Sequence, residues 1–231
     1  MYISKCSAKA KDNRADPRRI NLYYQQNPDS SFTELAAAIG IASDEQSWTA
    51  VNGDVDGDNL PDILVANHYG PINVYIQDRN GRFEDHSKDS GIELQSTPFQ
   101  FGLEDWDNDG DLDLLSVGTG VELWLNDGSG VFSSAALQLE YPRFTSLSWG
   151  DFNDDGKLDL YTSYAGLINN PSIVNDKMWL NQANSNHWVT FGLKGKSSNP
   201  NGIGALIKIY AGGKLQVREA QAGTSYGLQK S

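Results

Sequence analysis

The chain has 231 residues, 39% hydrophobic and 21% charged, enough apolar material for one large or two modest domains, which excludes an intrinsically disordered polymer. Thirty Asp and Glu stand against eighteen Lys and Arg, a formal charge of −12, so no electrostatic grip on nucleic acid or an anionic lipid surface is expected and cations are favoured instead. Cys6 is the single cysteine and only three histidines accompany it, which rules out an internal disulfide and leaves few ligands for a tetrahedral zinc site.

In chain order, the first twenty residues hold six Lys or Arg against two acidic residues and contain no apolar run that would serve as a signal-peptide core. The stretch from Lys5 to Arg19 reads as a solvated basic insert. No later segment approaches a membrane span, so membrane insertion is not expected. INLYYQQNPDSSFTE, from Ile20, is a degenerate first copy of a motif that recurs below. Residues 33–39 form the best helical pattern, a turn or two closed by Gly40.

From there the chain repeats itself. GDVDGDNLPDILV, EDWDNDGDLDLLS and GDFNDDGKLDLYT begin their acidic runs at Asp54, Asp105 and Asp151, spaced by 51 and 46 residues. Each is followed by a second apolar segment, a turn and a short third segment: INVYIQDRNGRFED from Ile72, VELWLNDGSGVFSS from Val121 and KMWLNQANSNHWVT from Lys177. Asn80-Gly81 and Asp127-Gly128 suit tight hairpins because both residue types tolerate positive φ. Asp62-Ile63-Leu64-Val65 and Val121-Glu122-Leu123-Trp124-Leu125 are short, rich in β formers and bounded by turn residues, which predicts strands. Several short strands per unit of 40 to 50 residues is the signature of propeller blades, since one small sheet buries both faces only when neighbours stack on it. The predicted class is all-β, with about three to four propeller-type blades and a further β segment at the C-terminus.

Written as nine positions, the acidic loops obey one scheme. Positions one, three, five and nine are Asp54, Asp56, Asp58 and Asp62; then Asp105, Asp107, Asp109 and Asp113; then Asp151, Asn153, Asp155 and Asp159. Position six, where a sharp turn needs positive φ, is Asn59, Gly110 and Gly156. Position seven is Leu60, Asp111 and Lys157, a scatter that fits a residue offering only its backbone carbonyl. Clustered short oxygen donors of this kind suit a hard cation, and four side-chain oxygens plus a carbonyl favour calcium over magnesium, which prefers to keep its waters. A helix-flanked loop would carry Glu at position twelve; here Val65, Ser116 and Thr162 stand there, so the ninth-position Asp is expected to close the site. Asp, Asn and Gly are also plain turn formers. Yet the loops hold thirteen of the thirty acidic residues, and such crowding at one recurring spacing calls for a counter-ion. About three calcium ions are expected.

These residues resemble the FG-GAP or VCBS-type repeats found also in the integrin α-subunit propeller. Phe101-Gly102, Trp149-Gly150 and the looser Val51-Asn52-Gly53 occupy the place of the naming pair. The C-terminal piece, Asn186 to Leu193, then Ser198 to Ala205 and Arg218 to Gly223, looks like the opening of an ASPIC/UnbV domain. Repeats followed by that domain are the arrangement of cartilage-acidic-protein-like (CRTAC-like) proteins. The resemblance implies a repeat propeller region over 1–184, an ASPIC/UnbV-like domain over 185–231 and a secreted or cell-surface location. It also makes the sequence read as a piece of a longer protein, since Met1-Tyr2-Ile3-Ser4 looks like a strand whose acidic loop is missing. An isolated partial propeller would expose an open edge through which copies could self-associate.

Other motifs carry less. Gly223-Thr224-Ser225-Tyr226-Gly227 matches a hydrolase nucleophile elbow, but His68, His86 and His187 all lie upstream of it, against the chain order that fold requires. Gly202-Ile203-Gly204 lacks the third glycine of a nucleotide loop and reads as a hairpin turn. Trp48, Trp149, Phe101 and Trp124 sit at equivalent repeat places, as inter-blade packing first and ligand platforms second. No catalytic group stands out. The expected function is a non-enzymatic, calcium-binding module for a protein or glycan outside the cytoplasm; the competing class is a scaffold or accessory part of a polysaccharide-active or biosynthetic enzyme.

Overall fold

A computed structural model of the chain describes residues 1–6, 17–139, 146–164, 174–182, 186–197 and 199–222. Strands β1 (Tyr2–Ile3), β2 (Leu22–Gln26) and β3 (Phe32–Glu34) form a first antiparallel sheet. After a short helix, α1 (Ala36–Ile39), come β4 (Ser47–Gly53), β5 (Asp62–Asn67), β6 (Asn73–Gln77) and β7 (Phe83–Asp85), a four-stranded sheet paired in chain order. The same order recurs in β8 (Pro98–Glu104), β9 (Asp113–Gly118), β10 (Val121–Asn126) and β11 (Phe132–Ala135). A three-stranded sheet follows, of β12 (Ser146–Gly150), β13 (Asp159–Ser163) and β14 (Lys177–Trp179), and then a hairpin of β15 (Leu206–Ala211) and β16 (Lys214–Glu219). The all-β class and the blade-like repeat are borne out.

Register shows why the pattern repeats. The ninth-position Asp of each loop opens the second strand and pairs with the last residue of the first: Asp62 with Gly53, Asp113 with Glu104, Asp159 with Gly150. Strands β5 and β9 are buried along their whole length, because their alternate residues face two different neighbours. Ile63 and Val65 pack with Ala36, Ile41 and Phe83 toward the first sheet. Leu64 and Ala66 meet Phe101, Leu114, Trp124 and Phe132 of the next sheet. Leu115 and Val117 then meet Leu147 and Leu160. Each core therefore lies between consecutive sheets, so that a sheet buries its faces only against its neighbours.

Some expectations change. Thr33 and Glu34 belong to β3, and the helix spans only Ala36–Ile39; Gly40 does close it, at φ 91°. The Asn80-Gly81 and Asp127-Gly128 turns are not two-residue hairpins. Asp78 N–H donates to Arg82 O and Asp127 N–H to Val131 O, so each loop is five residues long. The side-chain oxygen of its first Asp accepts from the amide two residues on.

The naming pairs are also not in register. Gly53, Glu104 and Gly150 are equivalent, which puts Gly102 two residues earlier along its strand. Both Gly53 and Gly102 nevertheless face the following sheet: a Cβ on Gly53 would lie 2.6 Å from Leu112 Cδ1, and one on Gly102 2.6 Å from Trp149 Cη2. Close approach of the next repeat is the physical reason for glycine. Nor are the four aromatics equivalent. Trp124 matches Tyr75 and Trp179, whereas Trp48, Phe101 and Trp149 occupy three different strand positions. Phe101 and Trp124 are buried between sheets as expected, while Trp48 is 43% exposed and stacks on His68.

Candidate metal centres in the acidic loops

Each acidic loop joins the first and second strands of its sheet, so all three emerge at the same end of the repeats. Backbone amides fold each loop around its own side chains. The amide of position six donates to the first Asp: Asn59 to Asp54 at 3.0 Å, Gly110 to Asp105 at 3.0 Å, Gly156 to Asp151 at 2.8 Å. Position five donates to position three, with Asp58 to Asp56, Asp109 to Asp107 and Asp155 to Asn153 between 3.1 and 3.2 Å. Position seven donates to position five, from Leu60, Asp111 and Lys157 at 2.8, 2.9 and 3.0 Å. Position six has positive φ, as the sequence predicts. So does position four, which sequence reasoning missed: Gly57, Asn108 and Asp154 lie at 77°, 57° and 59°. Only Gly, Asn and Asp occur there, and that restriction was the available signal.

The result is a convergence of carboxylates. In the first loop Asp54, Asp56 and Asp58, and in the second Asp105, Asp107 and Asp109, each bring one oxygen within 4.8 Å of the others. In the third loop Asp151 and Asp155 hold the same positions, with the Asn153 amide between them. Position-seven side chains diverge: Asp111 pairs with Lys214 Nζ at 3.1 Å and Lys157 Nζ lies 3.8 Å from Asp155.

The ninth-position Asp has a further task. Asp62 accepts from Val55 N–H at 2.8 Å through one oxygen and from Gln77 N–H at 2.9 Å through the other. Asp113 does the same with Trp106 and Asn126, and Asp159 with Phe152 and Asn181. All three are fully buried. They tie the loop to the third strand, and each oxygen keeps a second lone pair for a cation.

Electrostatics point the same way. Burial pushes Asp62 and Asp113 up to about 7 and Asp105 to about 6, and the neighbouring loop carboxylates add to the rise. Asp54, Asp56 and Asp107 are raised as well, burial being the largest cause. Asp54 Oδ1 is buried with no hydrogen-bond partner, inside the first cluster. A hard divalent ion fits this donor set: it is all oxygen, flexible, and one buried acceptor stands ready for a cation.

Two inter-repeat links escaped the sequence. Asn126 Nδ2 donates to Val55 O at 2.8 Å and to Leu112 O at 3.1 Å; Asn181 Nδ2 donates to Trp106 O at 3.0 Å. The second is the C-terminal hairpin, whose Arg218 donates to Gly110 O at 2.9 Å beside the Lys214–Asp111 pair. Between it and the first two loops lies a cleft of about 310 Å³ lined by Asp54, Asp56, Asp111, Asp127, Lys214 and Arg218.

Of the histidines, His86 sits 3.6 Å from Glu84 and His68 packs between Trp48 and Tyr69; His187 is exposed. Gly202-Ile203-Gly204 leads into β15 as a turn closed by the Gly202 amide on Asn199 O. The Gly223 to Gly227 motif and most of the basic insert lie outside the described residues.

A family model for the FG-GAP-like repeat matches residues 54–116 and 105–162, each match running from one acidic loop through the whole of the next and into the strand that follows it. A model for ASPIC and UnbV matches residues 195–231. No curated protein matches the chain. The chain is an FG-GAP repeat protein with an ASPIC/UnbV segment after its repeats.

Proposed function

We propose that the three acidic loops hold calcium, one ion each, and that the chain is a non-enzymatic binding module for a protein or glycan, secreted or held at the cell surface. The observation that carries the metal reading is the buried, partnerless Oδ1 of Asp54 within a cluster of three carboxylates. In each loop the side chains of positions one, three, five and nine and the carbonyl of position seven would be the ligands. The ion would offset the repulsion that lifts these carboxyl groups, and would fix the loop to the strands on either side.

The division into a repeat region over 1–184 and a C-terminal domain over 185–231 belongs to this proposal, as does kinship with cartilage-acidic-protein-like proteins. Its partner surface is the loop end of the repeats, where the ions would set loop shape. Calorimetric titration tests the metal: calcium should bind with measurable heat where magnesium binds far more weakly. Glycan-array and pull-down assays run with and without a chelator test the partner. Binding that ignores the chelator would separate partner recognition from the loops. Turnover of a polysaccharide would favour the competing reading, an enzyme or enzyme accessory.

A further inference from the structure

At the end of the repeats opposite the acidic loops, the first strand of each four-stranded sheet breaks its ladder in the same way. Trp48 is skipped in the pairing, between Ser47 opposite Asn67 and Thr49 opposite Ala66. Phe99 is skipped likewise, between Pro98 opposite Gly118 and Gln100 opposite Val117. A bulge of this kind re-aims its extra side chain. Ser47, Thr49, Pro98 and Gln100 are buried, whereas Trp48 is 43% and Phe99 37% exposed. The two rings meet across the junction of their sheets, with centroids 5.4 Å apart.

Beside them one connection is enlarged. Thr119-Gly120 alone joins β9 to β10, but β5 and β6 are joined by residues 68–72, which carry His68 and Tyr69. Trp48 stacks on the imidazole at 5.2 Å between centroids, and Tyr69 meets the same ring edge-on at 4.1 Å. Trp48 Nε1–H donates to His68 Nδ1, so the imidazole keeps its proton on Nε2. His68 also lines a cleft of about 400 Å³, together with Pro71, Glu93, Leu94, Gln95 and Thr97. Both walls are held in place. Asn67 Nδ2 donates to Pro71 O at 2.8 Å, and the amide and hydroxyl of Ser96 both donate to Glu122, at 2.8 and 2.6 Å.

We propose that this end binds a neutral saccharide, with a sugar ring lying on Trp48 and Phe99 and hydroxyls reaching the polar side chains of the cleft beside His68. A pyranose is apolar on its ring faces and polar at its rim, which is the division that the aromatic patch and the cleft present. The cleft falls within the range of about 300–1,000 Å³ usual for small-ligand pockets. Glu93 at the cleft and the chain's charge of −12 oppose sulfated or uronic glycans. The proposal narrows the binding-module reading to one ligand class. It places the site away from the loop end, so it stands whether or not the loops hold calcium.

A glycan array carrying neutral and anionic oligosaccharides, followed by calorimetric titration of the strongest neutral binder, tests this on the full chain. At least one neutral glycan should bind. Trp48→Ala and Phe99→Ala should each weaken that binding roughly tenfold or more, since each removes a stacking face. Both side chains are exposed, so the fold should survive, as circular dichroism would verify; Trp48→Phe keeps a ring for the sugar and should retain most of the affinity. A chelator should leave the affinity unchanged at temperatures where the metal-stripped chain stays folded. Sugar binding that needs calcium and ignores Trp48→Ala would belong to the acidic loops and overturn this site while sparing the reading above. An array on which no neutral glycan binds, or binding confined to anionic glycans or to proteins, would overturn it as well.

Discussion

The side-chain amide of Asn126 donates to the backbone carbonyl of Val55, 2.8 Å away and 71 positions earlier in the chain. Val55 is the second residue of the first acidic loop, and Asn126 closes the third strand of the next sheet. Asn181 repeats the link to Trp106 at 3.0 Å. Because the backbone N–H of the same Asn126 donates to Asp113, the loop of one repeat, the loop of the next and the strand between them share one buried network. The acidic loops are joints between repeats as well as clusters of carboxylates.

Asn126→Ala removes that joint and leaves the Val55 and Leu112 carbonyls and the Gly128 and Gly130 amides without their side-chain partner. Urea unfolding should show a loss of about 1–3 kcal/mol, the usual cost of stranding buried polar groups. A loss within error would show that water satisfies the site.

Gly102→Ala places a methyl group against the Trp149 ring. Overpacking of this kind costs about 1–3 kcal/mol. Trp149→Phe in the same chain should recover part of the loss, and a double-mutant cycle measures how much. Additive effects would contradict the contact.

How much of this was legible follows from sequence distance. The loop geometry was, because its hydrogen bonds join residues two to five positions apart and leave their mark as spacing, as in the Asn59 amide on Asp54. Strand identity was legible too, since β5 and β9 are runs of apolar residues bounded by turns. The Asn126–Val55 link was not: a polar residue ending a strand reads as a turn former until the neighbouring sheet is in place. Gly53 and Gly102 misled for the same reason. Their role is to admit a side chain from the next repeat, and two different strand positions can do so. The docking of Lys214 and Arg218 on the second loop spans more than a hundred residues and has no local pattern at all.

The pH dependence should invert with calcium. In the metal-free chain Asp62, Asp105 and Asp113 have folded values of about 7, 6 and 7, above the ordinary 3.8. Folding therefore favours their protonated forms. Their contribution to stability is fully present below the ordinary value of 3.8 and is lost progressively as pH rises from there through about 6 to 7. The melting midpoint of metal-stripped protein should fall over that range. With calcium the ionised carboxylates are ligands, so the midpoint should rise instead. A metal-stripped midpoint that climbs with pH would contradict this assignment.

The third loop should fill last. It has Asn153 where its counterparts have Asp, and Lys157 lies 3.8 Å from Asp155, so its cage is less negative. Asn153→Asp should tighten calcium binding at that loop, seen as a third calorimetric step merging with the first two. Asp107→Ala should remove one ion and lower the melting midpoint, leaving the other two sites filled.

The central claim is that the acidic loops are calcium sites that hold the stack together. It is tested most directly by native mass spectrometry and thermal unfolding of the metal-stripped chain, with calcium and separately with magnesium added. Three bound calcium ions and a raised midpoint are expected, with each site adding about 2.7 kcal/mol at a hundred times its dissociation constant. No bound ion and an unmoved midpoint would contradict the claim and make the loops solvated turns.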